Sequence, residues 1–220
     1  MIGVRAAVGT VLVTAAAVVV ASPVAAGNPR NPPAGLSPAR VVLLQRGDFG
    51  HGWSRQSPAP SKVPSLTCPA FDPSFEGAVQ TGAAASPTFE AGPSGPFVSE
   101  AAHVYATDGE RTTVWRTLVR PRLVRCAAAS LRRGGGDGVS FTVTRQGRIG
   151  LPALPAPTAG YRVSGTASLT YQTIDVYLDM FVIGRGRTIA AVVLSSFEQP
   201  PPRSLELRLV RTVARRIPPG

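Results

Sequence analysis

Between Val139 and Phe197 four stretches alternate apolar and polar residues in close succession, and no other feature constrains the fold as tightly. VSFTVTR sets Val139, Phe141 and Val143 against Ser140, Thr142 and Thr144. YRVSGTASLTY does the same with Tyr161, Val163, Ala167, Leu169 and Tyr171. IDVYLDMFV sets Ile174, Val176, Leu178, Met180 and Val182 against Asp175, Tyr177, Asp179 and Phe181, and GRGR then turns into TIAAVVLSSF. A period of two marks a strand with one wet face, and consecutive strands joined by short turns must pair antiparallel. PFVSEAAHVYA, from Pro96, adds a further strand. The expected fold is α+β: a single antiparallel sheet of about five strands packed with two or three helices, and one disulfide.

Three segments read as helices. Ser37-Pro38 supplies an N-cap and a first-turn proline, and ARVVLLQR runs on to Gly47. A second helix, capped by Asp108, is predicted over Gly109 to Arg133, with Trp115, Val119, Leu123, Cys126, Ala127 and Leu131 on one side. Pro121 lacks an amide donor and crowds the preceding turn, so a kink is expected there. The third covers Arg203 to Ile217, with Leu207, Val210, Ala214 and Ile217 as its buried stripe. Residues 54–96 carry many prolines and small side chains, which predicts a long irregular segment with a short helix near Phe75 to Thr81.

Residues 1–26 read as a signal peptide. Arg5 precedes an apolar run from Ala6 to Ala21, and SPVAAG offers cleavage after Ala26. A retained anchor is the second choice, because a run of about 16 residues is short for a bilayer. Residues 27–36, GNPRNPPAGL, are a flexible linker, and 37–220 form one domain. The expected location is secreted, outside the cytoplasm. In such a compartment Cys68 and Cys126, the two cysteines, are most economically a disulfide, worth about 3–5 kcal/mol by chain entropy. Two free thiols or a metal pair are the alternatives.

The formal charge is +11, and Lys62 is the only lysine. Arginine-for-lysine replacement with abundant Ala, Gly and Pro is also what a GC-rich genome produces, so the charge points to partners only where it clusters. It clusters twice, at Arg116, Arg120, Arg122 and Arg125 and at Arg208, Arg211 and Arg215. If the two helices lie side by side, they make one basic face. No zinc finger, helix-turn-helix or RNA-binding aromatic pattern accompanies it, which argues against nucleic acid.

Catalytic and metal motifs are missing. LQRGDFGHGW, Leu44 to Trp53, spells its glycines in the wrong order for a dinucleotide loop and follows a helix instead of a strand. Gly47 is better read as a left-handed helix C-cap, with Phe49 and Trp53 as core anchors. His51 has no neighbouring nucleophile, and with His103 the only other histidine no zinc spacing exists. Asp175 and Asp179 stand about 13–14 Å apart on one strand face by strand rise, too far for a shared ion, and are expected to solubilise that face. No G-x-S-x-G elbow occurs. No catalytic residue, metal or cofactor is called for.

LLQRGDFGHGW, a following cysteine, SEAAHVYATDGER, TVWRTLVRPRLVRC and the later GYRVSGTASLTY resemble secreted actinobacterial proteins of the PknH-like extracellular sensor type, with a similar outline in PsbP-like exported proteins. The resemblance spans Ser37 to Ile217. It implies a non-catalytic α+β domain with a cleft over the sheet that senses or carries a ligand. The chain departs from it in having one cysteine pair where the sensors have two disulfides, so only a bridge through Cys126 carries over. It also has no kinase domain and no lipobox.

Two functions follow as expectations. The first is a secreted, non-enzymatic sensor-like or carrier-like module for a small apolar or amphipathic ligand, held by Trp53, Tyr161, Tyr171, Tyr177 and Phe181. The second is a wall- or membrane-associated protein that binds anionic polymer or lipid through Arg116, Arg120, Arg208, Arg211 and Arg215.

Overall fold

The computed structural model describes residues 38–56, 77–133, 139–169 and 171–220. In chain order these form α1 (Pro38–Val42), a 3-10 turn (Arg46–Asp48), β1 (Ser54–Gln56), β2 (Gln80–Ala85), β3 (Thr88–Glu90) and β4 (Phe97–Tyr105). Then come α2 (Asp108–Leu118), α3 (Pro121–Arg133), β5 (Ser140–Ile149), β6 (Thr158–Leu169), β7 (Gln172–Arg185), β8 (Thr188–Phe197) and α4 (Arg203–Arg216). Residues 1–26, expected to be a signal peptide, residues 27–36, expected to be a linker, Ser37 and Cys68 lie outside the described residues.

The sheet has eight strands instead of about five, ordered β1-β3-β4-β8-β7-β6-β5, with β2 also on β4. Every pairing is antiparallel. The extra strands come from the segment expected to be irregular. β2 and β3 share one edge of β4, β2 beside Ala101–Tyr105 and β3 beside Phe97–Val98. They are short, QTGAAA and TFE, so no apolar alternation announces them. Gln80 and Thr81 open β2, so no helix runs on to Thr81. Cys126, the one cysteine among the described residues, is buried in the core and is disulfide-bonded, not a free thiol.

Helices cover both faces. α2 and α3 lie over a cluster that includes Val114, Leu123, Tyr161, Leu178, Met180 and Val193. α1 and α4 lie over a second one with Val98, Phe181, Ile183, Val192, Leu209 and Val213. β8, TIAAVVLSSF, is buried along its whole length, as a strand covered on both sides must be. On β7 the half before Asp179 alternates buried and open residues, whereas Asp179–Gly184 are all buried. α4 therefore leaves one end of its face uncovered.

The long helix divides at Pro121. Thr107, not Asp108, caps α2: its hydroxyl accepts from Glu110 N at 3.2 Å, and the Glu110 carboxylate accepts from Thr107 N at 3.0 Å. Pro121 then stands first in α3, where its missing N–H costs nothing. The break frees the Val119 carbonyl, which accepts from the Tyr161 hydroxyl at 2.5 Å and from Arg148 at 2.9 Å. Gly184 lets α2 lie close, since a Cβ there would stand 2.6 Å from the Trp115 ring.

The first helix is also shorter than expected, ending at Val42, and Gly47 sits inside the 3-10 turn. Its φ is not positive, unlike that of Gly52 at 83°, so it is no left-handed cap.

Candidate functional site

The five aromatic residues expected to hold a ligand do not share a groove. Tyr161 is fully buried under the α2–α3 junction, and Phe181 is fully buried on the opposite face. Trp53 is half-buried beside Phe49, with ring centres 4.6 Å apart, and Phe49 in turn meets Phe89 at 4.4 Å. That reading as core anchors holds. Tyr177 is half-buried at the open end of the α4 face. Tyr171, in the β6–β7 turn, is 98 % exposed. Among the described residues the cavity bounded by Leu131, Phe141, Val163 and Val176 measures about 10 Å³, space for about one water.

Asp179 does not solubilise the sheet; it is fully buried, while Asp175 is exposed. Arg162, its cross-strand partner, donates to both Asp179 oxygens at 2.6 Å and to Glu206 Oε1 at 2.8 Å. Arg203 closes the cluster on Glu206 Oε2 at 2.5 Å. Burial, then the neighbouring Asp179 carboxyl, pushes Glu206 up to about 7. The hydrogen bond that Arg162 donates to Asp179 is the main influence raising Arg162, so the guanidinium stays charged. Both carboxylates are sealed from solvent. The cluster fastens the first turn of α4 to the sheet and leaves Arg162 and Arg203 partly open to solvent.

Glu100 is a second buried acid, 3 % exposed on β4. Its Oε2 accepts from Leu44 N at 2.5 Å, while Oε1 has no hydrogen-bond partner among the described residues. Burial pushes its carboxyl up to about 8, against the opposing backbone hydrogen bond. Beside it Arg216 donates to Asp48 at 2.7 and 2.8 Å and to the Leu43 carbonyl at 2.8 Å. LQRGDFGHGW is thus the segment that docks the turn after α1 on β4 and on the last turn of α4. His51 is exposed, and no cluster of three metal-ligating side chains occurs among the described residues.

The two arginine rows lie on opposite faces of the sheet and make no single basic face. Arg208, Arg211 and Arg215 form an exposed stripe on α4. From Arg111 to Arg133 the chain holds seven arginines and no acidic residue. Of these, Arg116, Arg120, Arg122, Arg125 and Arg132 are exposed and form no ion pair among the described residues. Arg148 joins them at the junction, held by the Val119 carbonyl and lying over the Tyr161 ring at 5.7 Å. The α2–α3 side is therefore the densest unpaired charge among the described residues.

Sequence reasoning missed Arg162, Asp179, Glu206 and Glu100 as buried groups. Signals existed: Glu206 stands three and four residues before Leu209 and Val210, inside the apolar stripe, and Glu100 takes an inward place between Val98 and Ala102. Compared with family models and with curated proteins, the chain matches none.

Proposed function

We propose that this chain is a non-enzymatic binding module that engages an anionic polymer or lipid surface of the cell envelope through the α2–α3 side. One observation carries the reading: five exposed arginines on that side, at Arg116, Arg120, Arg122, Arg125 and Arg132, have no acidic partner among the described residues. Packing explains the other arginines that matter to the fold. Arg162, Arg203 and Arg216 each pair with a carboxylate, and Arg111 donates to the Gly186 carbonyl at 2.7 Å.

Unpaired surface charge raises the self-repulsion of the compact state and is relieved by a polyanion. Pro121 contributes directly, because breaking the helix there sets Arg120, Arg122 and Arg148 around one corner. The small-ligand reading has less support, since the described cavity is about 10 Å³ and two of its five aromatics are fully buried on opposite faces.

The test is binding to immobilised polyphosphate across a salt series. Binding that weakens steeply as salt rises supports the reading, because screening lengths shrink from about 10 Å at 0.1 M to about 3 Å at 1 M. Salt-independent binding, or none at low salt, counts against it.

A further inference from the structure

Tyr171 is 98 % exposed, against 55 % for Val41 and 57 % for Val79, the other large apolar side chains open to solvent among the described residues. It sits in the turn after Leu169, which pairs with Gln172. Ser168 on the same strand end pairs with Ser140 at the start of β5. Phe141, the next residue, lines the small cavity together with Leu131 of α3. The β6–β7 turn and the last turn of α3 thus lie at one end of the molecule. Arg132, directly after Leu131, is exposed there. Val139 and Leu169, both half-buried, pack on the core beside them.

We propose that this end is where the protein meets a bilayer: Tyr171 enters the interfacial zone of an anionic membrane while Arg132, Arg125 and Arg122 hold its headgroups. The inference rests on the anion-binding reading and narrows it to lipid. Arg122, Arg125 and Arg132 follow at helical spacings of three and seven, so they form one track along α3, about 15 Å long at 1.5 Å per residue. The track runs toward the end of the molecule that carries the Tyr171 turn. A soluble polyanion would be gripped by the arginines alone and has no use for a tyrosine standing in water. A tyrosine ring, apolar in body and polar at its tip, suits the boundary between headgroups and acyl chains. Each basic residue near an anionic surface strengthens binding by roughly fivefold, the factor corresponding to about 1 kcal/mol.

The test uses the full-length chain with Tyr171→Trp, its emission read against the wild type to remove Trp53 and Trp115. Apolar residues 6–21 would enter vesicles of any charge, so the readout must be local to the turn. Vesicles of phosphatidylcholine, alone or mixed equally with phosphatidylglycerol, are compared with soluble polyphosphate. The expected result is a blue shift with the mixed vesicles only, quenched by brominated acyl chains and lost when Arg122, Arg125 and Arg132 are all changed to serine. An equal shift with neutral vesicles overturns the headgroup role of the arginines. Unchanged emission with polyphosphate binding intact overturns the membrane inference and leaves the anion reading standing. Unchanged emission without polyphosphate binding overturns both.

Discussion

Arg162 on β6 holds Asp179 on β7 through two hydrogen bonds of 2.6 Å, and the same guanidinium reaches Glu206 on α4 at 2.8 Å. One half-exposed cation thus satisfies two buried carboxylates. The arrangement explains why α4 can begin at Arg203 without a capping side chain, Pro202 offering none. Arg162→Leu should therefore cost about 3 kcal/mol or more, because removing one partner strands charge in the interior. Urea denaturation measures it. The double variant Arg162→Leu with Asp179→Leu should recover part of the loss, since it removes both ends of the pair.

Glu100 makes stability depend on pH. Its carboxyl titrates near 8 in the folded chain and near 4.5 when exposed. Between those values the folded state keeps a proton that the unfolded state has released, so stability falls as pH rises from 4.5 toward 8. Glu206, raised to about 7, adds a loss of the same sign over the lower part of that window. Glu100→Gln should remove a pH-dependent change on the order of 3 kcal/mol. Urea midpoints taken at the two ends of the window should move closer together in the variant, the remaining difference being the Glu206 contribution.

Gly184 sets how closely α2 lies on the sheet. Gly184→Ala places a Cβ 2.6 Å from the Trp115 ring and should cost about 1–3 kcal/mol through overpacking. Combining it with Trp115→Leu should cost less than the sum of the two single changes, a coupling that a double-mutant cycle reads directly.

Thr107→Ala removes the hydroxyl that caps α2 at Glu110 N. The expected loss is about 1 kcal/mol, seen as a lower Tm with no change in polyphosphate binding, because the arginines of α2 and α3 remain in place.

The sheet's centre was legible because β5 to β8 alternate with period two, or run apolar throughout where both faces are covered, as in TIAAVVLSS. β2 and β3 were not, because QTGAAA and TFE carry no run of alternating large apolar residues, Phe89 being the only one they bury, and owe their pairing to the free edge of β4. Pro121 predicts a kink within one helix, whereas the helix breaks completely there and Pro121 starts a separate one. Asp175 and Asp179 look alike along the chain. Only the path of α4, fixed in three dimensions, buries one and leaves the other in water. The arginine rows were visible from spacing, while their separation onto opposite faces required knowing that α3 and α4 cover different sides of the sheet.

The most direct test of the account is a map of which arginines a bound polyanion shields. Arginine-selective modification with phenylglyoxal, read by peptide mass spectrometry with and without polyphosphate, supplies it. The account predicts protection of Arg116, Arg120, Arg122, Arg125 and Arg132, with Arg208, Arg211 and Arg215 modified equally in both samples. Protection confined to the α4 stripe, or none anywhere at low salt, would contradict it.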